Sequence, residues 1–212
     1  MRQSCAILVV AALLMFQSPD TARGDEPPFP NHITPACIRL VASNGSAPAS
    51  AFGQFEVLIR DLANNPIPDV SVVIELSLIP ELALATDQLD PDVILDCGVA
   101  TVRKVTDVNG RVVFCIVGGG RAGVPPSALL GAGKIYANGT LIATPTVSAF
   151  DLDGLHGLGA GDLTQFLNDF STGVNYGRSD YDCSHYLGAG DLVIWLTAFS
   201  SGTQVVSAAG CP

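Results

Sequence analysis

The chain has 212 residues, 48% of them apolar and 14% charged, with a formal net charge of −10. That apolar fraction can build a core, which excludes a disordered chain, and the length suits one mid-sized and one small domain. The acidic balance argues against nucleic acid or an anionic membrane as partner. The charge is unevenly placed: residues 149–203 hold seven Asp and one Arg, a local charge of −6. Two Met, one Trp and few charges point to a mainly β chain rather than a helical bundle.

Arg2 is followed by a twelve-residue apolar run from Cys5 to Phe16 (CAILVVAALLMF). The run is too short for a stable bilayer-spanning helix. Small residues follow at Ala22 and Gly24, so residues 1–24 are predicted to be a signal peptide, with a membrane-anchored N-terminus as the alternative. No later segment is long enough to cross a membrane, and the protein is expected outside the cell or on a bacterial surface. Export permits disulfides. Cys37, Cys97, Cys115, Cys183 and Cys211 then remain, an odd number. Cys183 with Cys211, both near the C-terminus, is the expected pair, and Cys37 with Cys97 is the favoured second. The sequence alone does not fix this pairing. Cys115, inside VVFCIV, also reads as a small buried hydrophobe.

Residues 25–36 (DEPPFPNHITPA) carry four prolines and read as an extended linker. From 37 to 148 the pattern has period two. Phe55, Val57 and Ile59 face one way; Glu56 and Arg60 face the other. Val70, Val72, Ile74 and Leu76 alternate with Ser71 and Glu75, and Val112, Phe114 and Ile116 repeat the rule. This predicts half-buried antiparallel strands. Turns are expected at Asn64-Asn65-Pro66, at Thr106–Gly110 and at Asn138-Gly139, the last a hairpin because a type I′ turn needs positive φ at both central residues. About seven strands in this length suggest a β-sandwich of immunoglobulin type. The runs RDLANNPIPDVSVVIEL (60–76) and TVRKVTDVNGRVVF (101–114) resemble bacterial Ig-like domains of the invasin-like class. That resemblance implies a sandwich over 37–148 that acts as a spacer or adhesive stalk.

Residues 151–174 and 180–203 are two copies of one sequence, identical at 13 of 24 positions. Each copy sets Asp at positions 1, 3 and 12 of a glycine-rich loop, then runs into an amphipathic helix. Three converging carboxylates are costly unless a cation neutralises them, so both loops are predicted calcium sites. Side-chain ligands in the first copy are Asp151, Asp153 and Asp162; in the second they are Asp180, Asp182, Ser184 and Asp191. Backbone carbonyls of Gly157 and Tyr186, at position 7, complete the sets, and waters fill the rest. Position 5 is Leu155 in one copy and Ser184 in the other, so the second loop is expected to bind better. The competing account is that Asp162 and Asp191 merely cap helices, where Asp is favoured anyway.

Asp rather than Glu at position 12, and the lack of an evident entering helix, make residues 149–203 similar to type I dockerin repeats, the paired F-hands. The stripes Leu163, Phe166, Leu167, Phe170 and Leu192, Trp195, Leu196, Phe199 are expected to pack on each other. The resemblance implies Ca2+ and a cohesin-like protein domain as partner, met by the helix surface around Thr164, Gln165 and Val193. Two departures stand out. Position 6, usually Gly, is His156 and His185, and positions 10 and 11 are Ala160-Gly161 and Ala189-Gly190. Residues 204–212 read as a C-terminal tail.

Gly118, Gly120 and Gly123 match G-x-G-x-x-G after a strand, but Pro125-Pro126 follow where a helix is needed, so an inter-strand loop is expected. No nucleophile elbow and no H-E-x-x-H is present. The expected role is therefore non-enzymatic: a calcium module for docking or surface assembly. The alternatives are an envelope or matrix protein whose calcium loops only stabilise the fold, and a polysaccharide hydrolase using a carboxylate pair.

Overall fold

The computed structural model describes residues 29–205, 210 and 211; the predicted signal peptide lies outside them. The chain is mainly β with few helices. Its strands are β1 (Asn31–Ile33), β2 (Cys37–Leu40), β3 (Gln54–Arg60), β4 (Ser71–Glu75), β5 (Leu82–Leu84), β6 (Ile94–Asp96), β7 (Thr101–Val105), β8 (Arg111–Cys115), β9 (Gly118–Gly120), β10 (Lys134–Ala137), β11 (Thr140–Ala143) and β12 (Thr146–Ala149). One helical turn, α1 (Ser50–Gly53), precedes β3, and two twelve-residue helices, α2 (Ala160–Ser171) and α3 (Ala189–Ser200), follow the strands.

The period-two segments contain strands with the expected alternation of faces. Val57 and Ile59 of β3, Val72 and Ile74 of β4, and Val112 and Phe114 of β8 are all buried. Each fully buried aliphatic chain contributes about 1.5–3 kcal/mol. β3 pairs antiparallel with β1 and β8; β11-β10-β4-β7-β6 form an antiparallel five-stranded sheet; β12 runs parallel to β2, and β5 antiparallel to β9. A single apolar cluster draws on all these groups, including Leu40, Ile59, Ile74, Phe114, Ile135 and Val147. Asn138 and Gly139 turn β10 into β11 with φ of 44° and 82°, as the hairpin rule requires.

Several expectations change. The chain has more strands than seven, because three-residue pairs such as β5–β9 leave no periodic trace. The proline-rich stretch is not wholly a linker: Phe29 is buried in the core and β1 pairs with β3. The loop 176–179 contains a 3-10 turn at Gly177–Ser179. The C-terminal residues return to the β region rather than trailing off. Gln204 is buried and accepts the Ala42 N–H at 3.2 Å, Gly210 bridges Ala85, and the Cys211 N–H donates to the Leu84 carbonyl at 2.7 Å.

The disulfide pairing is likewise corrected. Cys37 bonds Cys183 and Cys97 bonds Cys211, with Cα separations of 5.8 and 5.2 Å. Neither expected pair forms, because both C-terminal cysteines face the β region instead of each other. Cys115 is free and buried, and burial, with Asp90 adding, pushes its thiol up to about 11. It is the small hydrophobe that VVFCIV suggested.

A second apolar cluster joins the repeats to the strands: Val41, Ala49 and Cys115 pack with Phe150, Phe166, Tyr181 and Trp195. Tyr181 sits at its centre, stacked on Phe150 at 4.9 Å and on Phe166 at 6.1 Å between ring centroids. The helices therefore meet through Phe150 and Tyr181 more than through their own stripes. Phe166 and Trp195 are buried, while Leu167, Phe170, Leu196 and Phe199 stay 43–50% exposed. Among the described residues no helix is long and apolar enough to cross a membrane.

Candidate metal centre

Each repeat begins where a strand or a 3-10 turn delivers its first Asp. β12 ends at Ala149 and leads through Phe150 to Asp151; Gly177–Ser179 leads to Asp180. The loop then curls back on the start of its helix. Asp151, Asp153 and Asp162 each place a carboxylate oxygen within 4.8 Å of the others, and Asp180, Asp182 and Asp191 do the same. All six sequence-predicted aspartates thus assemble into two clusters of three.

The curl depends on left-handed backbone at position 6. His156 and His185 both have φ of 64°. The position wants glycine, and the chain accepts His there twice. Position 11 is glycine in both copies. A Cβ on Gly161 would overlap Oδ2 of Asp153, and one on Gly190 would approach Oδ2 of Asp182. The position-3 carboxylate lies over this glycine.

Position 12 bonds both its loop and its helix start. Asp162 Oδ1 accepts the N–H groups of Leu152 (2.6 Å) and Asp153 (3.0 Å), and Oδ2 accepts that of Gly159 (2.7 Å). Asp191 repeats this with Tyr181 (2.7 Å), Asp182 (3.1 Å) and Gly188 (2.8 Å). Both are N3 residues of their helices and bond the N-cap N–H, so the capping account is correct as far as it goes. A carboxylate offers about four lone-pair directions, so one remains on each for a cation.

One other carboxylate is less satisfied. Asp180 is fully buried; Oδ2 accepts the His185 N–H at 3.1 Å, and no donor reaches Oδ1. An unpaired buried carboxylate oxygen is costly. Burial, reinforced by Asp162 and Asp153, pushes Asp151 up to about 7; burial also pushes Asp162 up to about 6 and raises Asp180. Asp182, more exposed, is lowered, chiefly by its bond with Ser184. The donor set is all oxygen, as a hard cation such as calcium requires.

The remaining predicted ligands are placed less decisively. Ser184 Oγ donates to the Tyr186 carbonyl at 3.0 Å, which joins these two to each other. Gly157, with φ of 73°, is buried and follows His156 as position 7 demands. Leu155 is 52% exposed and supplies no side-chain oxygen.

The two loops rest on different supports. The first lies on β9: the Gly120 N–H donates to the Asp151 carbonyl at 2.6 Å. A Cβ on Gly120 would overlap the Leu152 carbonyl, and one on Gly154 would overlap the Gly120 carbonyl. Gly119 and Gly120 are thus a seat for the loop, which their sequence pattern did not suggest. The second loop lies on β2. Cys183, at the position equivalent to Gly154, is bonded to Cys37, and Arg39 Nε donates to the Tyr181 carbonyl at 2.6 Å. Arg39 was not legible as a site residue, since nothing local ties a β2 arginine to a loop 142 residues on.

Comparison with known protein families, with characterised proteins and with solved structures finds no match for this chain.

Proposed function

We propose that this is an exported, non-enzymatic protein in which an Ig-like β-sandwich carries a dockerin-like pair of calcium loops, used for protein docking or surface assembly. One observation carries the calcium reading. Two equivalent loops each converge three carboxylates within 4.8 Å, and in one of them a fully buried oxygen, Asp180 Oδ1, has no donor. Asp151, Asp153, Asp162 and the Gly157 carbonyl would hold the first ion. Asp180, Asp182, Ser184, Asp191 and the Tyr186 carbonyl would hold the second. Calcium would neutralise the clustered charge and so stabilise the folded chain. Docking, with a cohesin-like domain as candidate partner, would use the exposed helix surface around Thr164 and Val193, beside the half-exposed Leu196 and Phe199.

A second reading is that the loops only stabilise an envelope or matrix protein. It is favoured by the shared apolar cluster and by the two disulfides that bind the repeats and C-terminus to the β region. Calorimetric calcium titration of the full disulfide-bonded chain tests the shared premise. About two equivalents bound in the wild type, and about one in Asp182→Asn, is expected. No saturable binding at millimolar calcium would reduce the aspartates to turn formers and caps. Capture of an isolated cohesin domain that requires calcium would separate docking from stabilisation.

A further inference from the structure

We propose that Arg39 is an affinity-setting residue that holds the calcium affinity of the second loop below what its own ligands would give. The inference rests on the calcium reading above. Its ground is the contrast between two equivalent backbone carbonyls. Tyr181 lies between Asp180 and Asp182, and its N–H is bonded to Asp191 Oδ1 at 2.7 Å. Its carbonyl accepts Arg39 Nε at 2.6 Å. A guanidinium is therefore tied to the backbone of the ligand loop itself. In the first loop the equivalent residue is Leu152, and its carbonyl faces Gly120, a neutral backbone.

Arg39 cannot shed its charge. Among the described residues it forms no ion pair, so no other carboxylate consumes that charge. It interacts favourably with Asp182, Asp180 and Asp191. Nor is it free to swing away as a unit with its strand. β2 is fixed by its parallel pairing with β12, where Arg39 faces Ser148, and by the Cys37–Cys183 bond two residues earlier. The charge acts twice in one direction. It relieves repulsion among the carboxylates of the empty loop, and it repels an arriving divalent cation. Both lower affinity, by roughly fivefold to tenfold for one nearby charge in a partly screened site. Arg39 thereby opposes the advantage that Ser184 confers over Leu155. A merely structural Arg39 would act oppositely, because its bond to Tyr181 would then help to position the ligands.

The sign of the effect decides. The full disulfide-bonded chain carrying Asp153→Asn, which weakens the first loop, is titrated with calcium by calorimetry. In that background Arg39→Gln and Arg39→Met are expected to tighten the remaining site about fivefold, and Arg39→Lys to stay within about twofold. Two neutral variants guard against one failing to fold, and near-ultraviolet circular dichroism confirms the packing of Trp195 and Tyr181. Unchanged or weaker binding in the neutral variants overturns the inference and leaves Arg39 a loop support. Absence of calcium binding in the unmutated chain overturns the calcium reading itself, a result that no Arg39 variant can mimic.

Discussion

The two acidic loops share a sequence and a curl but not a foundation. At loop position 4 the first copy has Gly154, which lets the backbone approach Gly120 too closely for any side chain. The second copy has Cys183 at that position, covalently joined to β2. One loop is held by the absence of atoms, the other by a bond. A repeat therefore conserves the part that shapes a cluster and varies the part that attaches it. The helices show the same division. The position occupied by Asp169 in α2 is Ala198 in α3, and Asp169 forms a bidentate pair with Arg178, both bonds 2.8 Å, with Ser179 Oγ also donating to it at 2.7 Å. That buried pair ties the first helix to the turn that launches the second loop.

The comparison breaks most sharply at that pair. Asp169→Ala strands a buried guanidinium and is expected to destabilise the chain by about 3–5 kcal/mol, read from denaturant unfolding. Next is the covalent support. Replacing Cys37 and Cys183 together with Ser is expected to cost about 2–5 kcal/mol, and to weaken calcium binding in the second loop while sparing the first. The non-covalent support follows. Gly120→Ala should cost about 1–3 kcal/mol by forcing the Leu152 carbonyl away, whereas Gly188→Ala, with open space around it, should cost under about 1 kcal/mol. Thermal unfolding of the two variants measures the difference.

Acidity sharpens the comparison last. Asp151 titrates near about 7 and Asp162 near about 6, above the unfolded carboxylate value of about 4. The ion-free fold binds protons there that the unfolded chain has released. That contribution to stability is present at low pH and is lost as pH rises from about 4 to about 7. On the calcium reading proposed above the ion displaces the same protons, so first-loop affinity should fall about tenfold between roughly pH 8 and pH 6. Titrations across that range in Asp182→Asn, where only the first loop is intact, check it.

Much of this was written locally in the sequence. Strands β3, β4 and β8 follow from apolar alternation, and the β10–β11 hairpin follows from one Asn-Gly pair. The six aspartates follow from the repeated spacing, which sets Asp at positions 1, 3 and 12 of both loops. What was not legible is long-range. Disulfide partners 146 and 114 residues apart, the Arg39 contact and the glycine seat on β9 depend on which surfaces meet. Helix stripes misled for the same reason. Leu167 and Leu196 fit the periodicity, but the apolar partners lay on Phe150 and Tyr181, which only the inner part of each stripe reaches.

The disulfide connectivity bears on how the chain is made. Cys37, Cys97 and Cys115 all emerge from the ribosome before Cys183 and Cys211, the partners that two of them need. While the β region is being made, these three thiols have no native partner. Any pairing among the three is non-native. Covalent closure waits first for Cys183 and then for Cys211.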